Sequence, residues 1–295
     1  MGIQKGKTVK KIIRTLSAIA GLTVAAGATL AADAPAGDAP GFDMGVEITG
    51  VTDYMDSGLT NSDHKPSGSI TLSPSYGIFY GTIYAATIDY GDDYEEPKIE
   101  SKFAIGATPV FGDFSVDFNL ARRIKFDDPT ADRWLPYVTG TYTFNDNFNA
   151  SLGVGYYDYD ESVDYWEFYA GSTVTLDSGA YFTSEFYWEP DSDGANNAYY
   201  ETIGTLGFPF LEKFEAIGKV GYEGYADYDD SGFASYLWYE ARLNYSFNDH
   251  VTVGVAYHGN DLKSGTECDS QKWSDCDDSV FATLTLKGNL SDLSK

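Results

Sequence analysis

From Phe42 onward the chain alternates between apolar and polar positions. Phe42, Met44, Val46 and Ile48 interleave with Asp43, Gly45, Glu47 and Thr49. Phe114, Val116, Phe118 and Leu120 do so with Asp113, Ser115, Asp117 and Asn119, and Val251, Val253, Val255 and Tyr257 with Thr252, Gly254, Ala256 and His258. A period of two sends alternate side chains to opposite faces of a strand, whereas a helix would repeat every 3.6 residues. About fourteen such runs can be counted, near 42–54, 67–76, 77–90, 98–110, 113–124, 133–144, 147–158, 165–176, 180–189, 199–209, 214–225, 233–247, 250–258 and 279–288. Twelve strands follow if two short runs are loop hairpins.

The connections alternate as well. Short ones stand around Tyr76–Gly77, Phe111–Asp113, Asn145–Asn147, Asp177–Gly179, Pro209–Lys213 and Asn248–Asp249. Between them lie long polar segments: Met55–Pro66, Gly91–Pro97, Phe126–Asp132, Tyr159–Asp164, Pro190–Ala198, Ala226–Gly232 and Gly259–Asp278. A secreted β-sandwich also alternates along its strands, but it has no reason to gather every long loop on one side. A transmembrane barrel does: short periplasmic turns, long external loops, an even strand count and strands of about ten residues. Aromatic residues near run ends, such as Tyr54, Tyr90, Trp134, Phe144, Phe148, Trp166, Trp188, Tyr222 and Phe247, suit interfacial girdles. Backbone groups in lipid must all be paired, so the expected fold is all-β, a closed antiparallel transmembrane β-barrel over residues 42–288.

Composition narrows the function classes. The 295 residues carry 19 Lys and Arg against 45 Asp and Glu, a net charge of −26, which argues against nucleic acid as a partner. A mean hydropathy of −0.29 argues against a bundle of membrane helices. Five of the bases, Lys5, Lys7, Lys10, Lys11 and Arg14, fall in the first 14 residues, followed by a small and apolar run from Thr15 to Ala31. This reads as a secretory signal peptide cleaved after Ala31, with 32–41 a short periplasmic lead-in and 289–295 a tail. The remainder holds 14 bases against 45 acids. In an oxidising compartment the only two cysteines, Cys268 and Cys276, are expected to form a disulfide in the longest external loop.

Residues 51–66, VTDYMDSGLTNSDHKP, followed by GIFYGTIYAATIDYGDD at 77–93, resemble the opening hairpins of the TorF-type family of proteobacterial outer-membrane porins. Asp53-Tyr54, Gly58 and Lys65-Pro66 match the family pattern; Ser57 stands where the family usually has Arg. The resemblance implies a barrel and transport across the outer membrane of a Gram-negative bacterium.

Strand parity sorts the charges. Glu47, Asp89, Glu100, Asp117, Glu167, Glu185, Glu201, Glu215, Glu223 and Glu240 are expected to face the interior, with Lys102, Arg123, Arg133, Lys219, Arg242 and Lys287. So many inward ionisable groups are cheap only if the interior is wet, which points to a narrow channel for passive diffusion of ions or small polar solutes. The acidic excess points to a preference for cations. Arg122, Arg123, Lys125 and Arg133 are expected to meet as a basic patch at the outer mouth.

Other chemistry is sparse. His258 with Asn260 and Asp261 is the nearest approach to a hydrolytic group, and a polar strand end is the simpler reading. No nucleophile elbow, paired-cysteine motif or His-x-x-x-His pair is present, so neither an enzyme nor a cofactor is expected. The acidic clusters Asp92, Asp93, Glu95, Glu96; Asp158, Asp160, Glu161, Asp164; and Asp227, Asp229, Asp230 offer the oxygen ligands that Ca²⁺ or Mg²⁺ prefer. They support the rival reading, a structural or adhesive barrel whose loops bind a partner or divalent cations.

Overall fold

The computed structural model describes residues 41–89, 98–126, 132–160, 162–192, 197–226, 235–262 and 276–294. The strands are β1 (Phe42–Val51), β2 (Met55–Asp56), β3 (Leu59–Thr60), β4 (Ser67–Tyr76), β5 (Phe79–Ile88), β6 (Lys98–Ala107), β7 (Val110–Phe111), β8 (Phe114–Lys125), β9 (Arg133–Asn145), β10 (Phe148–Tyr159), β11 (Tyr165–Thr175), β12 (Tyr181–Glu189), β13 (Tyr199–Phe210), β14 (Phe214–Tyr225), β15 (Tyr236–Asn248), β16 (Val251–Asn260) and β17 (Ser279–Asn289).

Fourteen of them run 9 to 13 residues and pair with their sequence neighbours, all antiparallel. The ring closes where β17 returns to β1, with Glu47 opposite Lys287 and Ile48 opposite Leu286. Ser291 reinforces that seam: its backbone N–H and its hydroxyl both donate to Asp43, each at 3.0 Å. The remaining short strands do not enter the ring. β7 folds back on the start of β8, and β2 and β3 pair with each other. Closure leaves no unpaired edge along the long strands.

The two faces follow the alternation. Outward positions are apolar and exposed, as at Phe118, Leu152, Leu206 and Val255. Inward positions on the same strands carry Asp117, Tyr157, Thr205 and His258, all buried. Aromatic rings gather at both ends. At the turn end Phe144 stacks on Phe148 at 4.8 Å, and Phe210, Phe214 and Tyr245 form a continuous string. At the loop end Tyr156 packs on Trp166, and Phe168 on Trp188. Tyr54 departs from the expected girdle. Its ring turns inward beside Tyr84 and Glu100, because the segment after β1 enters the barrel instead of rising from it. Tyr90 lies outside the described residues.

Candidate functional site

The segment Met55–Pro66, expected as an external loop, instead turns into the barrel, with β2 and β3 forming a β-hairpin. Met55 pairs with Thr60 and Asp56 with Leu59, leaving Ser57 and Gly58 as a two-residue turn with φ of 45° and 88°. Positive φ at both central positions is the geometry of the tight hairpin turn whose twist matches its strands. Asp53 organises the base. Its Oδ1 accepts from Thr60 Oγ1 at 2.7 Å and Ser62 Oγ at 3.3 Å, and its Oδ2 meets His64 Nδ1 at 2.7 Å. Ser279 on β17 donates to the same Oδ2, so one carboxylate ties the hairpin to the wall. Burial alone would push the Asp53 carboxyl up, but the donors Ser279, Thr60 and His64, with the His64 charge, hold it below the ordinary carboxylate range.

The tip is held from three strands. Gly58 N–H donates to Nε2 of His258 at 2.8 Å, Asn260 Nδ2 donates to Gly58 O at 2.7 Å, and the Tyr236 hydroxyl donates to Ser57 O at 2.8 Å. Ser57 Oγ also donates to Glu201 Oε1 at 3.2 Å on β13. Both ring nitrogens of His258 are engaged, since Nδ1 faces Glu240 Oε2 at 3.2 Å, so the ring serves the hairpin and is not held against a nucleophile.

Charge is sorted around the interior. Lys102, Arg123 and Arg133 stand in register on β6, β8 and β9, forming a basic row. Arg123 pairs with Glu100, and the Arg133 guanidinium lies 5.0 Å from the ring centroids of Tyr157 and Tyr159. On the other side Glu201 and Glu223 stand directly opposite each other on β13 and β14, with Glu189 on the adjacent β12. Like charges in cross-strand pairs weaken a sheet, so neither row is what stability alone would select. Arg242 bonds Glu240 at 2.9 Å, Tyr181 donates to Glu215, and Tyr187 donates to Glu185. Lys219 lies opposite Glu240, Glu47 opposite Lys287, and Tyr157 donates to Glu167.

Asp56, at the hairpin tip, stands between these walls. Its charged neighbours are Arg123 on β8, Lys219 on β14, Glu100 on β6 and His258 on β16. Although enclosed by the ring of strands, its side chain is exposed, and Arg123 beside it retains 31% of its side-chain surface. A water-accessible space therefore separates the tip from β8. Enclosure within the barrel, away from bulk solvent, raises the Asp56 carboxyl, against the lowering fields of Arg123 and Lys219.

Two sequence expectations are corrected, and one inward residue was missed. Asp89 lies one residue beyond β5, with the parity of the exposed Thr87, and bonds Lys65 of the hairpin base at 2.8 Å instead of lining the interior. Glu189, not singled out by the sequence reading, faces inward and is buried; its parity with Glu185 was the available signal. The four bases do not form one patch. Arg122 sits on the outer face, over Trp134 and bonded to Asp160, while Arg123 and Arg133 point to the opposite face.

Several expectations fall wholly or partly outside the described residues. These are the Ala31 cleavage site, the acidic clusters at 92–96 and 227–230, Glu161, and Cys268. Cys276 is described and is not a free thiol.

No protein-family model and no curated protein sequence matches the chain. Solved structures do. OmpF of Salmonella typhi, in a complex with daunomycin, aligns with a TM-score of 0.55 at 10% identity, covering 84% of this chain and 97% of that one. Omp33 of Acinetobacter baumannii aligns at 0.47 and 13% identity, covering 84% and 97%, and the channel DcaP of the same organism at 0.49 and 10%, covering 85% and 97%. The chain has the porin-type β-barrel fold.

Proposed function

We propose that the chain is an outer-membrane channel of a Gram-negative bacterium, related to the TorF-type porins, through which ions or small polar solutes diffuse passively with a preference for cations. The observation that carries this reading is Asp56: an exposed carboxylate in the middle of a closed barrel, between a basic row and an acidic one. A barrel that only needed to be stable would fill that space with apolar side chains. The outward apolar band and its aromatic ends suit a bilayer.

Selectivity follows from the lining. Eleven inward carboxylates on the described strands, Asp43, Glu47, Glu100, Asp117, Glu167, Glu185, Glu189, Glu201, Glu215, Glu223 and Glu240, outnumber the seven bases Lys102, Arg123, Lys125, Arg133, Lys219, Arg242 and Lys287. Asp56 adds one more acid at the tip. The lining outweighs the exposed loop charge, because at physiological salt the screening length is about 8 Å. The basic row on β6, β8 and β9 and the acidic pair on β13 and β14 also set a transverse field that orients dipolar solutes. Reconstitution in a planar bilayer tests the reading. Discrete conductance steps are expected; folded barrels that insert without steps would favour a structural or adhesive role.

A further inference from the structure

We propose that the Gly58–His258 hydrogen bond is a pH-sensitive latch, which holds the hairpin against β15 and β16 while the imidazole is neutral and lets it move when the ring is protonated. The geometry sets the direction. A backbone N–H can only donate, so Nε2 of His258 must present its lone pair to Gly58, and the ring proton sits on Nδ1 facing Glu240. A second proton can bind only at Nε2. It takes the lone pair that Gly58 was using and leaves two donors facing each other at 2.8 Å.

Charged groups surround the ring. On β15, Glu240 faces Nδ1, and Arg242 is bonded to the same carboxylate. Lys219 on β14 stands opposite Glu240. On the hairpin, Asp56 lies within the ring's field. On β17, the register partner is the neutral Ser279, which is bonded to Asp53, itself paired with His64. Trp238 stacks on the ring at 5.6 Å and 11° and fixes its plane, so the imidazolium cannot swing away to relieve the clash. The other tip bonds, from Asn260 and Tyr236, remain. The released hairpin is therefore loosened, not expelled.

The latch concerns the hairpin itself; only its effect on flow rests on the channel reading. Hydrogen exchange of the 52–66 peptide in the intact barrel reads the latch without any conduction. After correction for intrinsic exchange, protection of this peptide should fall about tenfold as pH drops from 8 to 5, the scale of one lost buried hydrogen bond. In His258→Gln, whose side-chain oxygen can accept without titrating, the fall should vanish although His64 is intact. In unsubstituted protein the Gly58 amide and the His258 ring should titrate together by NMR, which needs no variant. An equal fall in both proteins, no fall in the unsubstituted chain, or a Gly58 amide that ignores the His258 titration would each overturn the latch. Loss of the latch with normal conductance steps leaves the channel reading standing, and a pH-responsive hairpin in a barrel without steps removes the channel reading alone.

Discussion

A Cβ on Gly58 would lie 2.7 Å from the Cβ of Trp238 and 3.2 Å from that of Asn260, and Gly58 has a φ of +88°. The tip fits the wall only because this residue has no side chain, and its backbone angle is one that other residues resist. Gly58→Ala should therefore lift the tip, at a cost of about 1 kcal/mol or more in local stability. The fourteen-strand ring does not depend on it, so the variant should still run as a folded barrel on an unheated gel. Single-channel conductance should fall, because a tip lifted off β15 and β16 moves into the water-accessible space that faces β8. Unchanged conductance would mean that the hairpin does not limit the opening.

Asp53 should anchor the hairpin in a pH-dependent way. Its carboxyl is held below the ordinary range in the folded state, because its donors outweigh the effect of burial. A depressed folded value gives stability that is complete above the unfolded carboxylate value of about 3.9 and is lost as pH falls through the folded value. Asp53→Asn should thus reduce protection of residues 52–66 at pH 7, and the gap between variant and unsubstituted protein should close only below about pH 4. Equal protection at pH 7 would show that the Ser279 and His64 contacts contribute nothing.

The charges nearest the tip should shift selectivity in opposite directions. Asp56→Asn removes the exposed carboxylate and should lower the potassium-to-chloride permeability ratio. Arg123→Ala removes a base beside it and frees Glu100, and should raise that ratio. Because enclosure within the barrel raises the Asp56 carboxyl, acidification should begin to erode cation preference above the ordinary carboxylate range, and Asp56→Asn should lack that step. Bi-ionic reversal potentials of the two variants, moving the same way or not at all, would contradict the assignment.

The alternation of strands, turns and loops was legible in the sequence because period two is a local property. Once strand parity is set it carries along each strand, which is why Glu100, Arg123, Glu201 and Glu240 could be read as inward from residues nearby. Strand ends were less legible. A parity argument assumes that the strand continues, and at Asp89 it has already stopped. The hairpin was not legible at all. Its direction is decided by Asp53 with Ser279 and Gly58 with His258, pairs separated by 226 and 200 residues. A polar segment after a strand reads the same whether it leaves the barrel or enters it. The motif residues Asp53 and Gly58 marked the segment but not the fold they serve.

A Cys268–Cys276 disulfide is expected in the longest loop. Closing so short a loop contributes roughly 2–3 kcal/mol of local order in the chain-entropy model. Intact mass after alkylation, with and without prior reduction, reads it directly: label should enter only after reduction. Two thiols labelled without reductant, in protein taken from the native membrane, would contradict the bridge.

Cation preference in an open barrel is the central claim, and the zero-current potential across a KCl gradient tests it most directly. With eleven inward strand carboxylates against seven bases, and Asp56 exposed at the tip, the sign should show potassium more permeant than chloride, with the ratio falling as salt rises. A sign showing chloride more permeant would contradict the account and assign control of selectivity to the row Lys102, Arg123 and Arg133.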